Sequence, residues 1–560
     1  MKFLKYTLCL IAATILSSEP GSSCTNILVS KGATTDGSAM ISYAADSHVL
    51  YGELYHYPAK KYNKGEMLNI YEWDTGEKLG QIAQADETYN VVGNMNEYQL
   101  AIGETTYGGR PELVDTTGII DYGSLIYITL QRAKTAREAI ILMGKLVEEY
   151  GYYSSGESFS VSDPNEVWIL EMIGKGTKLK QVKTEDSFEY INENKGAVWV
   201  ALRLPEGTIC AHANQSRITT FPKNDPENCL YAPDVISFAK EMGYYEGSDD
   251  NFSFCDAYAP LNFEGARFCE ARVWAVFNRV KEGMDQYTDY AMGENLENKM
   301  PLFVYPDEKL SVKDVMELMR DYYQNTPLDM TKDIGAGPYS CIVRWRPLTW
   351  EVDSITYFNE RAISTQQTGF SFVAQSRRWL PDPVGGILWF GVDDTYSTVY
   401  NPMYCGITKI PENYAVGNGD MMDFSETSAF WIFNQVSNFA YTRYSYMSPE
   451  IREKQAKLED MYITKVKETD KKASEVYKKD KNAATEIIND FSNNMAANTF
   501  KEWKALYYHL FTKYMDGNIK YKVEGQQNPR LEQPGYSEDW YREIVKKTGD
   551  KFKVHGEVSH

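Results

Sequence analysis

The strongest constraint on the fold is a series of hairpin signals that starts at Cys24. Cys24 to Val29 (CTNILV) is short, apolar and rich in β-branched residues. Ala33 to Ser38 (ATTDGS) is a turn carrying Asp36-Gly37, and Ala39 to Tyr43 (AMISY) supplies a partner strand. The pattern repeats at Tyr89 to Glu104, where Val91-Val92 and Leu100-Ala101-Ile102 flank the polar turn Asn94-Met95-Asn96-Glu97. It returns as Ser158 to Val161 with Val167 to Glu171, and as Val198 to Leu204 with Gly207 to His212. Further strands fall near Ile363 to Ala374 and Gly385 to Val392. Apolar residues at helical spacing predict a helix within Thr129 to Tyr150, and Arg452 to Gly517 reads as charged helix. Its lysine-rich stretch, Lys465 to Lys481, is expected to be a solvated face. Hairpins segregated from helices predict the α+β class.

The segment before Cys24 reads as an export signal, residues 1–23. Lys2 and Lys5 make a basic start, Thr7 to Leu16 is an apolar run, and Gly21-Ser22-Ser23 places small residues at the −3 and −1 positions of a cleavage site. The apolar run is too short to span a bilayer, which needs roughly 20 residues, and no later segment qualifies. An uncleaved anchor or buried helix is the alternative. Lipidation of Cys24 is another, although Gly21 stands where a lipidation signal carries a large apolar residue. The expected location is the periplasm or beyond, with a lipid-anchored surface form as the variant.

Removing residues 1–23 would leave 560 − 23 = 537 residues and take the formal charge from −20 to about −21. So acidic a chain is a poor partner for nucleic acid or an anionic membrane. Besides Cys9 and Cys24 there are six cysteines, Cys210, Cys229, Cys255, Cys269, Cys341 and Cys405. They would form up to three disulfides in an oxidising compartment or stay buried thiols. Zinc-finger spacing, a GxSxG elbow, HExxH, a phosphate-binding loop and an EF-hand loop are all missing, so no metal or cofactor is implied.

Cys24 differs from the rest because cleavage would make it residue one. It would then carry a thiol and an α-amine whose pKa is near 8. That amine accepts the thiol proton near neutral pH and returns it to a leaving amine, so one residue serves as nucleophile and general base.

The residues around Cys24 carry a family resemblance. Cys24-Thr25-Asn26-Ile27-Leu28-Val29, Thr35-Asp36-Gly37-Ser38-Ala39-Met40-Ile41 and Asp46 resemble the N-terminus of the bacterial dipeptidase A family. These are cysteine peptidases of the N-terminal nucleophile superfamily, with penicillin V acylases and bile-salt hydrolases as distant relatives. The likeness recurs at Asn94 to Glu97, Ala211-His212-Ala213-Asn214, Phe372 to Arg377, Leu388 to Asp394 and Pro402 to Cys405. It implies two stacked antiparallel sheets between helical layers, a four-layer αββα sandwich spanning 24–448, with a helix-rich region at 449–560. It implies hydrolysis of short peptides without cofactor or metal, and leaves room for a homo-oligomer.

By the same resemblance Cys24 matches the nucleophile, Asp46 the acid that positions thiol and amine, and Asn214 an oxyanion donor. Arg377 matches an arginine that would lower the thiol pKa or bind a substrate carboxylate, with a salt bridge as its alternative. His212 reads as a structural histidine. Two positions depart from the pattern. Tyr43 stands where related enzymes carry an arginine, and Glu104-Thr105-Thr106 stands where the acylases place an asparagine. A backbone N–H of Thr105 or Thr106 would then serve the oxyanion. The alternatives to a dipeptidase are an amidase acting on N-acyl amino acids and a surface lipoprotein that binds glycans or peptides on aromatic platforms.

Overall fold

The computed structural model describes residues 23–184 and 187–557; apart from Ser23, the expected signal segment lies outside them. The chain is a mixed α/β protein with a helical C-terminal region. Two antiparallel sheets carry it. The six-stranded sheet runs in the order Ile209–His212, Asn26–Val29, Ala39–Asp46, Thr368–Ser376, Gly386–Val392, Asn401–Tyr404. The eight-stranded sheet runs Cys229–Tyr231, Ala197–Arg203, Val167–Gly174, Gly156–Ser162, Ala101–Gly108, Met95–Asn96, Val91–Val92, His56–Tyr57.

The opening hairpin forms as expected, with Leu28 opposite Ile41 and Val29 opposite Met40. Every residue of Ala39–Asp46 is buried. A strand with both faces covered reads as a continuous apolar run rather than an alternating one, and AMISYAA is such a run. One cover is the other sheet. A Cβ at Gly103 would lie 2.9 Å from the Asn26 side-chain amide and 3.1 Å from Tyr43 Cβ, so the close approach of the sheets there favours glycine.

Helices Tyr122–Leu130 and Ala136–Tyr150 pack on the eight-stranded sheet, joining Leu125, Ile128, Ile140 and Met143 to Phe159, Val161 and Leu170 in one core cluster. The sequence pattern runs these two helices together. They separate because Thr135 adopts extended backbone and its hydroxyl accepts the Glu138 N–H, capping a new start. Val198 to Leu204 and Gly207 to His212 do not form the hairpin their spacing suggests. Ala197–Arg203 pairs with Val167–Gly174, whereas Ile209–His212 pairs with Asn26–Val29 in the other sheet. Both runs are apolar on both faces, so their pattern does not choose a partner.

Three C-terminal helices, Ala429–Tyr441, Tyr444–Tyr477 and Lys481–Tyr514, cover the outer edge of the six-stranded sheet. The Ser492 hydroxyl donates to the Pro402 carbonyl at 2.9 Å and accepts the Tyr404 N–H at 3.2 Å, and Thr499 donates to Asn401 at 2.6 Å. The first long helix begins at Tyr444, ahead of Pro449, and the pair breaks where Asp480 caps the second through the Ala483 N–H. Lys465, Lys467, Lys471 and Lys472 are exposed, as the charge pattern predicts. Among the described residues the six cysteines other than Cys24 are thiols, with no disulfide. No described helix is long and apolar enough to cross a membrane.

Trp503 anchors the helical layer. It is fully buried and stacks on Phe433 with ring centroids 4.8 Å apart. Trp503→Ala is expected to cost about 3–5 kcal/mol, read as a fall in the urea midpoint with unchanged slope.

Candidate active site

Cys24 sits just ahead of strand Asn26–Val29, and the pairing of Thr25 with Ala44 sets it beside Ala39–Asp46. Its side chain is buried. Sγ lies 3.7 Å from Glu104 Oε1 and 3.8 Å from the Tyr43 hydroxyl. Tyr43 in turn donates a short hydrogen bond to Glu104 Oε1. Tyr43, and Glu104 from the segment Glu104-Thr105-Thr106, both set apart by the sequence, thus meet the sulfur.

Local backbone needs put Glu104 there. Strand Ala101–Gly108 pairs with Met95–Asn96 only through Ala101, so its later residues lack a neighbouring strand on that side. Buried backbone groups still require partners. Asn26 supplies them: with its amide turned to satisfy both sides, it donates to the Glu104 carbonyl at 3.0 Å and accepts the Glu104 N–H at 3.1 Å. The same amide oxygen accepts from Ser160 at 3.0 Å. Ser160 continues to His212 Nε2 at 2.8 Å, and His212 Nδ1 meets Thr105 Oγ1 at 2.7 Å. Burial pushes His212 down to about 3. Neutral and bonded at both nitrogens, it braces the sheets rather than moving protons.

Two arginines clamp the backbone at Cys24. Arg272, from helix Ala271–Val280, donates to the Cys24 carbonyl at 2.5 Å, to Thr25 Oγ1 at 2.8 Å, and through its other nitrogen to Asn214 Oδ1 at 2.9 Å. Asn214 has left-handed backbone (φ 60°) and donates to the Thr106 carbonyl at 2.7 Å. Arg361 donates to the Ser23 carbonyl and, at 2.6 Å, to Asp46 Oδ2. Asp46 Oδ1 accepts from Thr368 at 2.6 Å, and its carbonyl accepts the Ser23 N–H at 2.9 Å. Burial raises the Asp46 carboxyl, while Arg361 and Thr368 pull it back down.

Asp46 and Asn214 are thus linked to the backbone at Cys24 through Arg361 and Arg272, and Thr106 through Asn214. Arg377 is not. It pairs with Asp470 of helix Tyr444–Tyr477 and donates to the Gly385 and Val384 carbonyls. Strand Thr368–Ser376 pairs Thr368 with Asp46 but Ser376 with Ala39, which places the following Arg377 at the opposite end of the sheet from Asp46. The arginine expected to bind substrate instead ties the helical layer to the sheet. Reading the sequence missed Arg272 and Arg361. Arg272 had one signal, a cation inside the apolar helical run Arg272-Val273-Trp274-Ala275-Val276-Phe277. Arg361 lies in an irregular segment with no pattern to mark it.

A cavity of about 230 Å³ opens beside Tyr43 and Glu104, lined also by Asp46, Asp74 and the rings of Tyr55, Trp73, Tyr122 and Tyr127. Asp121 builds one wall. Its carboxylate caps helix Tyr122–Leu130 through the Ser124 N–H and holds the Trp73 N–H at 2.7 Å. Trp73 stacks on Tyr127 at 4.8 Å, and Tyr122 donates to Asp74 at 3.0 Å. Burial raises Glu104 to about 7 against the hydrogen bond from Tyr43. Burial, and then neighbouring Glu104, pushes Glu157 well above the usual carboxylate range. Among the described residues, no group of three or more His, Cys, Asp or Glu side chains could hold a metal. The arrangement offers a buried thiol, a carboxyl poised near neutrality and backbone clamps.

A sequence model of peptidase family C69 matches residues 23–457. A probable dipeptidase of Salmonella dublin is 27% identical over 71% of this chain and 84% of its own length. A probable dipeptidase of Latilactobacillus sakei is 23% identical over 80% and 88%. Dipeptidase A of Lactobacillus helveticus is 22% identical over 75% and 82%.

Glu104 makes stability depend on pH. In an unfolded chain a glutamate titrates near 4.3, whereas folded Glu104 titrates at about 7. Below both values the group is protonated in either state and costs nothing. As pH rises the unfolded state ionises first, so stability falls from about pH 4 to 7 and the full cost persists above. Glu104→Gln removes that cost. The variant should match the unmutated protein at pH 4 and exceed it at pH 8 by on the order of 3 kcal/mol, measured by thermal melts at both values.

Proposed function

Because this chain belongs to peptidase family C69, we propose that it is an exported cysteine dipeptidase that opens short peptides through a thioester on Cys24. The observation that carries this reading is the buried Cys24 thiol, set 3.7 Å from Glu104, which with Tyr43 lines a small cavity, and with the Cys24 carbonyl held by Arg272. A cavity of about 230 Å³ lies below the roughly 300–1,000 Å³ of ordinary ligand sites, which suits a residue or two of substrate.

Removal of residues 1–23 breaks the Ser23–Cys24 bond and leaves a primary amine beside Asp46 and Arg361. The Cys24 amine takes the thiol proton, and sulfur attacks the scissile carbonyl. Asn214 and a backbone N–H near Thr106 meet the oxyanion. Collapse expels the amino product, which takes its proton from the Cys24 ammonium, and a thioester remains. Water, deprotonated by the same amine, hydrolyses it and frees the thiol. The fold is read as the four-layer αββα sandwich of N-terminal nucleophile hydrolases over 24–448, with 449–560 as an appended helical region.

The aromatic walls of the cavity favour a second reading, an amidase taking N-acyl amino acids. Assaying dipeptides beside N-acyl glycine conjugates separates the two. Cys24→Ala is expected to lose at least about 10⁴-fold in kcat on dipeptides, and mass spectrometry is expected to find a mature chain starting at unmodified Cys24. Full activity in that variant would sink the reading, and so would a lipid on the Cys24 amine.

A further inference from the structure

Glu104 and Glu157 form a buried acidic pair beside the thiol. They stand on neighbouring antiparallel strands. Thr106 is opposite Glu157, so Glu104, two residues earlier, projects from the same face. Both are about 1% exposed. Glu104 uses Oε1 for Tyr43, and Glu157 uses Oε1 for the Thr106 hydroxyl at 2.8 Å. Among the described residues no donor from elsewhere meets the Oε2 of either, and the two carboxyls hydrogen-bond each other. Among the described residues the largest influences on them are Tyr43, Cys24, Thr106, Asp74 and each other, none of them a cation while Cys24 is still joined to Ser23. Buried acids in this state are costly, and positive charge brought beside them offsets that cost; the freed Cys24 amine is one such charge and a substrate ammonium is a second.

We propose that Glu104, backed by Glu157, is the subsite for the free α-ammonium of the substrate, an inference that rests on the cysteine-dipeptidase reading. Simple geometry places the ammonium there. A carbonyl carbon in position for attack lies about 3 Å from the sulfur, and the α-nitrogen of the same residue is about 2.5 Å from that carbon. Glu104 Oε1 is 3.7 Å from Sγ, so a substrate whose chain turns towards Glu104 brings that nitrogen within hydrogen-bond reach of it while the carbonyl meets the thiol. Asp74 adds a second acidic side chain to the cavity, and Trp73, Tyr122 and Tyr127 offer ring faces to a cation. Acylation of that nitrogen replaces the ammonium with a bulkier neutral amide and leaves the acidic pair unmatched. The same walls that could hold an apolar acyl group therefore reject it through the carboxylates.

The test compares leucyl-glycine with N-acetyl-leucyl-glycine. The unmutated enzyme is expected to favour the free amine by at least about 100-fold in kcat/KM. In Glu104→Gln that ratio is expected to fall at least about tenfold, with KM for leucyl-glycine rising more than kcat falls. Glu157→Gln, which keeps Glu104 in place, is expected to lower the ratio by a smaller factor and guards against misfolding of the first variant. Equal cleavage of both substrates by the unmutated enzyme overturns the subsite alone. So does an unchanged ratio in Glu104→Gln with both rates falling together, which would assign Glu104 to the thiol. Cleavage of neither substrate, or of both by Cys24→Ala, overturns the dipeptidase reading and the subsite with it.

Discussion

The close approach of the two sheets at Gly103 is the contact on which the site depends. With no side chain at that position, strand Ala101–Gly108 comes against Asn26 and Tyr43. Asn26 can then bond the Glu104 backbone, and Tyr43 can reach the Glu104 carboxyl. A Cβ at Gly103 would have to push these partners away, because packed interiors relax little. The buried network through Ser160, His212 and Thr105 fixes the same junction by hydrogen bonds, which specify geometry better than apolar contact does. The thiol thus meets two groups that the sheets themselves hold in place.

Around that junction charge is divided. Carboxyls meet the sulfur and the cavity, whereas Arg272 and Arg361 hold the backbone on either side of the Ser23–Cys24 bond. Half-buried Arg346 is pushed down to about 10 by burial and then by Arg361, a sign of how tightly the cations gather. Both groupings oppose stability when unpaired. Such costs are commonly concentrated where a protein binds or reacts, and are carried by a well-packed remainder. Here the remainder is large: two sheets, a helical pair on one and three C-terminal helices on the other, with Arg377–Asp470 pinning the last layer.

Local signals in the chain were reliable where a short segment settles its own conformation. The hairpin around Asp36-Gly37 and the solvated lysine face are of this kind. Partner choice was not legible. Ile209–His212 joined the opposite sheet from Ala197–Arg203, because strands buried on both faces carry no alternation to name a neighbour. Arg377 was misplaced for a related reason. A motif match locates a residue on a strand but not at which end of the sheet its side chain finds a partner.

Sequence alone placed Cys24 at the approach to the first strand and raised the expectation that an amine at that residue would make it both nucleophile and base. It also marked Tyr43 and the segment Glu104-Thr105-Thr106 as departures without singling out Glu104. Only the tertiary structure decided that Glu104 meets the sulfur. Tyr43 is 19 residues from Cys24, Glu104 is 80 and Arg272 is 248. Contacts over such separations are set by strand register and by the meeting of two sheets, and no local pattern encodes them.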